Sequence, residues 1–247
     1  MKSFFHAVAF LTRLPVPKLS SAQEDWLKSA PYYPFVGLII GGLLVACASL
    51  LSPYLSAPVV AVLTLMVWVY ITGGLHLDGW MDLADGLGSY RSREEVLRIM
   101  KDSRVGAMGV TAAILLLLLK ATLLYELIIE GLHTWLLLLP IAGRLFLVIS
   151  MRCWPYLSTQ GLGHGMREKI DRWKLGLGFI ITCIVSFGVC GMIGVVALLI
   201  TLLAGWWMAH RIVKRLGGLT GDGYGALVEG CETACALFLL LTWRWIG

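Results

Sequence analysis

The sequence predicts an all-α, polytopic integral membrane protein: a helical bundle of about seven transmembrane helices, with six as the alternative. Three observations predict this. Of 247 residues, 58% are hydrophobic and only 14% charged, where a soluble domain carries about 25% charged residues. Mean hydropathy is +0.82. Two stretches, 29–75 and 175–209, hold no charge at all, and each exceeds the roughly 20 residues that one span needs. At this length a single membrane domain over 1–247 is expected.

The elements follow in order. Residues 1–11 carry a lysine and a short apolar run without a small-residue cleavage site, and read as an interfacial helix. The uncharged run 29–75 divides at Ser52-Pro53 and Ala57-Pro58 into two spans. A third span covers about 105–125 and tolerates Lys120; a fourth covers about 133–151 and contains Arg144. The run 175–209 is too long for one span and divides near Gly188–Gly194. The last span begins near Ala226 and ends at Trp243-Arg244-Trp245, aromatics suited to a headgroup boundary.

Charge sets the orientation. Lys2, Arg13, Lys18 and Lys28 precede the first span. Arg91, Arg93, Arg98, Lys101 and Arg104 follow the second, and Arg152, Arg167, Lys169, Arg172 and Lys174 follow the fourth. Arg211, Lys214 and Arg215 follow the sixth, whereas the opposite connections offer only Glu126, Glu130 and His133. The positive-inside rule then makes the N-terminus and the long loops cytoplasmic. The net charge of +5 is spread over these loops without a dense basic run, which argues against a nucleic-acid partner. The six cysteines form no CxxC pair and read as packing residues rather than a zinc site or a disulfide framework.

Asp78, Asp82 and Asp85 stand at i, i+4 and i+7, on one helical stripe directly after a span. Like charges at that spacing repel, and the stripe holds no compensating cation, so a divalent ion is the natural counterion. Oxygen-only ligands favour Mg2+ or Mn2+ over zinc. A solvated helix start capped by Asp78 is the plainer alternative. Mg2+ held by carboxylates commonly serves phosphate groups, and Arg98, Lys101 and Arg104 downstream suit phosphate oxygens. Gly106 opens a helix whose N–H groups could face an anion. A second polar cluster, Gly217 to Glu229, has Asp222 and Glu229 seven residues apart; they could complete a metal site or supply a general base, or the cluster could be a flexible loop with a capping Asp. The segment 161–167 either closes over a substrate or links two spans. Arg144 inside a span is a functional candidate by position alone, and Lys120 could be one or could snorkel.

At these residues the chain resembles the cobalamin synthase family, the adenosylcobinamide-GDP ribazoletransferases. The marks are Thr12-Arg13-Leu14-Pro15-Val16-Pro17, Tyr33-Pro34-Phe35-Val36-Gly37, and Gly73-Gly74-Leu75-His76-Leu77-Asp78-Gly79 continuing through Asp82 and Asp85-Gly86. Arg98, Asp102-Ser103-Arg104-Val105-Gly106 and Gly217-Gly218-Leu219-Thr220-Gly221-Asp222 with Gly225-Ala226 and Glu229 extend the match over nearly the whole chain. The resemblance implies a bacterial inner-membrane enzyme with its active face in the cytoplasm. It would join α-ribazole, or its 5′-phosphate, to adenosylcobinamide-GDP and release GMP, with Mg2+ as cofactor. The expected site then has Asp78, Asp82 and Asp85 as metal ligands, Asp222, Glu229 and Asp78 as catalytic groups, and His76 and Asp102 as further candidates. Asp82-Leu83-Ala84-Asp85-Gly86 is also similar to the first half of the CDP-alcohol phosphotransferase signature; the second half is missing, and Asp222 and Glu229 are expected to stand in for it.

Other readings are a membrane prenyltransferase, which also joins Asp-rich motifs to Mg2+ and a diphosphate, and a small-molecule transporter using Arg144 and Lys120. The second acidic cluster is Gly-rich with one Asp, against the first, and no repeated halves are visible, against the second. A homo-oligomer is left open.

Overall fold

The computed structural model describes residues 2–19, 22–158, 161 and 163–246, with the backbone alone of Ile246. Met1 of the expected N-terminal helix and Leu162 of the 161–167 segment lie outside the described residues. Eleven α-helices run through these residues: α1 (Lys2–Leu11), α2 (Gln23–Leu27), α3 (Tyr33–Leu51), α4 (Ala57–Thr72), α5 (Leu75–Gly88), α6 (Arg93–Ile99), α7 (Ala107–Ile129), α8 (Leu138–Cys153), α9 (Met166–Lys169), α10 (Arg172–Leu216) and α11 (Gly221–Ile246). The fold is a helical bundle. Its one β feature among the described residues is an isolated parallel bridge between Tyr156 and Leu219.

Five helical segments are long and apolar enough to cross a membrane, or six if α4 and α5, bent by 90°, are counted as one broken span. The bend takes α5 off the axis of α4. Straight, the 45 residues of α10 would measure about 67 Å, twice the roughly 30 Å hydrocarbon core. The helix is not straight. Gly191 has φ 61° and ψ −150°, outside the helical region and open to glycine. A side chain on Gly194 would strike the Ser186 carbonyl, eight residues back, a pair about 12 Å apart in a continuous helix. α10 is therefore a hairpin of two rods, 172–190 and 192–216, dividing inside the expected window.

The two ends of the bundle differ in chemistry. At one end Ser52 meets His133 Nε2 at 2.8 Å, Arg244 pairs with Glu126, and Trp135 packs edge-on against Trp243. At the other, Arg93 Nε donates to the Leu216 carbonyl at 2.6 Å, the Leu157 N–H donates to the Leu219 carbonyl, and the Leu219 N–H donates to the Pro155 carbonyl. That second end gathers the N-terminal helices, α5, α6, the segment after α8 and the start of α11.

Two boundaries differ from the sequence expectation. The fourth span is entered through a 3-10 turn, His133–Leu137. The last helix starts at Gly221 rather than near Ala226, because Thr220 caps it: its Oγ1 accepts the Gly223 N–H at 3.0 Å. Asp222 sits in the first turn of α11, not in a loop.

Candidate active site

The site is built by two glycine-dependent features. Gly73 and Gly74 both adopt left-handed conformations, φ 68° and 70°, making the elbow that swings α5 away from α4. Arg13 fastens the elbow: its N–H donates to the Ile71 carbonyl at 2.7 Å and its side chain lies against Gly73. α5 then crosses the start of α11 so closely that a Cβ on Gly79 would sit 2.8 Å from Asp222 Cα. This crossing is what brings the acidic stripe to the C-terminal cluster.

Asp78, Asp82 and Asp222 lie within reach of one another's charge there. Burial, followed by the charges of Asp78, Asp222 and Asp85, pushes the Asp82 carboxyl up to about 6. Among the described residues none of Asp78, Asp82 and Asp222 has an ion-pair partner within 4 Å. Asp85 is engaged differently. One oxygen accepts the Gly106 N–H and the other the Gly109 N–H, each at 2.7 Å, so this carboxylate caps α7 from a neighbouring helix where Gly106 offers no side chain of its own.

The donor set bears on a metal. No three His, Cys, Asp or Glu side chains among the described residues converge into a ready cage. Mg2+ does not need one, since it usually keeps several waters and binds one or two carboxylates together with substrate phosphates. Clustered hard oxygens with uncompensated charge fit such a hydrated ion.

Beside Asp78 and Asp222 opens a cavity of about 220 Å³. Its walls are mainly apolar, with Phe10, Trp26, Tyr156 and Tyr224 among them, and His76 lies at its edge. Gly163 and Met166 also line it, so the 161–167 segment does reach the site.

Behind the cavity lies a buried charge network. Lys120 Nζ donates to Glu229 Oε2 at 2.5 Å and to Glu232 Oε2 at 2.7 Å, and sits 4.4 Å from the centre of the Trp68 ring. Arg144 Nη1 donates to Glu232 Oε1, and Arg144 Nη2 lies 3.3 Å from His76 Nδ1. A guanidinium only donates, so His76 Nδ1 accepts and its ring proton is on Nε2. Two cations and two carboxylates cancel, which makes burial of all four tolerable. Lys120 is buried and paired, and does not snorkel. Glu229 is placed in this network and does not line the cavity. Glu232 escaped the sequence reading; the available signal was charge balance, since Lys120 and Arg144 inside spans needed two acids and Glu229 supplied one.

The downstream cations sit at the surface. Arg98 pairs with Glu95, and Arg104 grips Asp102 through Nε and Nη2 at 3.0 and 2.7 Å, holding that carboxyl down at about 2. Neither Arg98, Lys101 nor Arg104 lines the cavity. Exposed pairs of this kind are screened by solvent and contribute little to stability.

Comparison with known proteins now bears on these features. A family model described as cobalamin-5-phosphate synthase matches residues 3–240, a stretch that contains the elbow, the acidic stripe and the start of α11. The chain belongs to the cobalamin synthase family. Curated relatives named adenosylcobinamide-GDP ribazoletransferase include one from Brevibacillus brevis, 46% identical over 98% of this chain and 99% of that protein. Another from Pseudomonas putida strain GB-1 is 40% identical over 98% and 99%, and one from Desulfitobacterium hafniense is 40% identical over 97% and 96%. No solved structure matches significantly. As a cobalamin synthase the chain is an enzyme of cobalamin biosynthesis, and its family membership extends across both glycine features that assemble the site.

Proposed function

We propose that this cobalamin synthase joins α-ribazole, or its 5′-phosphate, to adenosylcobinamide-GDP and releases GMP, using Mg2+, at the cytoplasmic face of a bacterial inner membrane. The observation that carries the reading is that Asp78 and Asp222, without an ion-pair partner among the described residues, line one aromatic cavity, with Asp82 within reach of both charges. The names of its relatives supply the substrates. The cytoplasmic assignment is supported by the basic residues of α6 and of the ends of α10, which lie at the same end of the bundle.

In this reading the ribazole hydroxyl oxygen bonds to the cobinamide-bound phosphorus, the bond from that phosphorus to the bridging oxygen breaks, and GMP leaves with that oxygen. Asp222, on the cavity wall, takes the hydroxyl proton. Asp78 and Asp82 would hold the metal, which when bound neutralises phosphate charge. Arg98 and Arg104 release Glu95 and Asp102 and, with Lys101, bind phosphate oxygens arriving from the cytoplasm. The Nε2–H of His76, oriented by Arg144, is a neutral donor at the cavity edge.

The test is GMP release by protein purified into nanodiscs and given both substrates. Turnover should require Mg2+, stop with chelator, and be lost in Asp82→Asn with the protein still folded and inserted. Wild-type turnover by Asp82→Asn, or in chelator, would overturn the metal assignment; absence of GMP release by the wild type with both substrates and Mg2+ would overturn the reaction.

A further inference from the structure

The cavity beside Asp222 and the acidic stripe differ in kind, and the two proposed substrates differ in the same way. One substrate is a large corrinoid bearing a diphosphate. The other is a small nucleoside whose base is a flat, methyl-bearing benzimidazole. A cavity of about 220 Å³ has no room for a corrin ring, whereas a bicyclic base is of the right order of size.

The lining favours that base over the other flat ring present, guanine. Tyr156 and Tyr224 stand parallel, 3° apart with centroids 5.7 Å apart, as one aromatic platform. Trp26 and Phe10 pack edge to face at 5.0 Å and form a second aromatic element of the lining. Leu147, Met151 and Met166 complete an apolar surface suited to ring methyl groups. Guanine presents acceptors as well as donors along its edges; Asp78 and Asp222 can meet only the donors, and no Asn, Gln, Lys or Arg stands among the described lining residues to meet the acceptors. The platform is held from two directions. Tyr156 is pinned through the flanking hydrogen bonds of Leu157 and Leu219, and Tyr224 is in the first turn of α11, two residues from Asp222. A base stacked there carries its ribose toward that carboxylate.

We propose that this cavity is the binding subsite for the aromatic base of the ribazole substrate, with Tyr156 and Tyr224 as its stacking platform, while the corrinoid nucleotide stays outside and presents only its diphosphate to the acidic stripe. The inference rests on the reaction proposed above.

Its test is separable from that reaction. Equilibrium dialysis of labelled α-ribazole against the nanodisc protein, without the second substrate, measures the subsite whether or not turnover occurs. Binding should weaken roughly 10- to 100-fold in Tyr156→Ala, the scale of one lost base–aromatic stack, and stay within about twofold in Tyr156→Phe, which keeps the ring. Free dimethylbenzimidazole should displace ribazole and GMP should not. Under turnover, Tyr156→Ala should raise KM for ribazole while KM for adenosylcobinamide-GDP is unchanged. Displacement of ribazole by GMP, wild-type ribazole binding in Tyr156→Ala, or a rise confined to KM for the corrinoid nucleotide would each overturn the assignment. A wild-type protein that binds ribazole with this profile yet releases no GMP would leave the subsite standing and overturn the reaction instead.

Discussion

Gly79 of α5 and Asp222 of α11 meet backbone to backbone, so that any side chain on Gly79 would come within 2.8 Å of Asp222 Cα. The acidic site depends on that contact. Gly79→Ala must push the helices apart by part of an ångström or more, moving Asp78 and Asp82 relative to Asp222. A displacement of about 1 Å can cost roughly 100-fold in rate. GMP release should fall on that scale while the protein still inserts and purifies as wild type; unchanged turnover would mean the crossing does not set the site.

Asp85 differs from its neighbours on the stripe because both its oxygens accept backbone N–H groups of α7. Asp85→Ala leaves two N–H groups without their acceptor and should lower stability by about 1–3 kcal/mol. Asp78→Ala, at a carboxylate with no ion-pair partner, should leave thermal stability intact and remove metal-dependent turnover. Unfolding midpoints of the two variants in one detergent separate these roles.

The buried network predicts strong coupling. Lys120→Met strands Glu229, while Glu232 keeps Arg144, and breaking a buried pair in this way costs about 3–5 kcal/mol. Adding Glu229→Gln removes the stranded charge, so the double variant should be more stable than Lys120→Met alone. A double-mutant cycle on unfolding midpoints measures the difference; additive effects would mean the pair is not coupled.

Acid should act on activity and on stability in opposite directions. Asp82 titrates near 6 in the folded protein and near 3.8 when unperturbed. Between those values the folded state holds more protons than the unfolded one, so this group's contribution to stability rises as pH falls through 6. Metal-dependent turnover, which uses the carboxylate, should fall over the same interval. Added Mg2+ should shift the loss to lower pH, because metal and proton compete for the same oxygens. Turnover independent of pH from 7 to 5 at limiting Mg2+ contradicts the assignment.

The passes of the bundle were legible because apolar runs and the break at Ser52-Pro53 are local properties of the chain. The division of 175–209 near Gly188–Gly194 was legible for the same reason, and Gly191 makes the turn. The stripe of Asp78, Asp82 and Asp85 could be read from helical spacing. Its partners could not. Nothing local to Asp85 reveals that Gly106 and Gly109 lack a cap of their own, and nothing local to Glu229 reveals Lys120, 109 residues away. The stacked tyrosines were missed for a similar reason: Tyr156 and Tyr224 face each other only because the segment after α8 bridges to Leu219.

The charge network also constrains how the protein is made. Lys120 and Arg144 leave the ribosome with α7 and α8, while Glu229 and Glu232 arrive only with α11, the final helix. Each unpaired cation costs about 2.5–3.5 kcal/mol to place at the centre of a helix passing through the translocon. The nascent chain therefore holds an unfavourable intermediate until α11 is threaded. A chain ending before residue 221 should be cleared by membrane quality control in a pulse-chase experiment, and replacing Lys120 and Arg144 together by methionine should spare it.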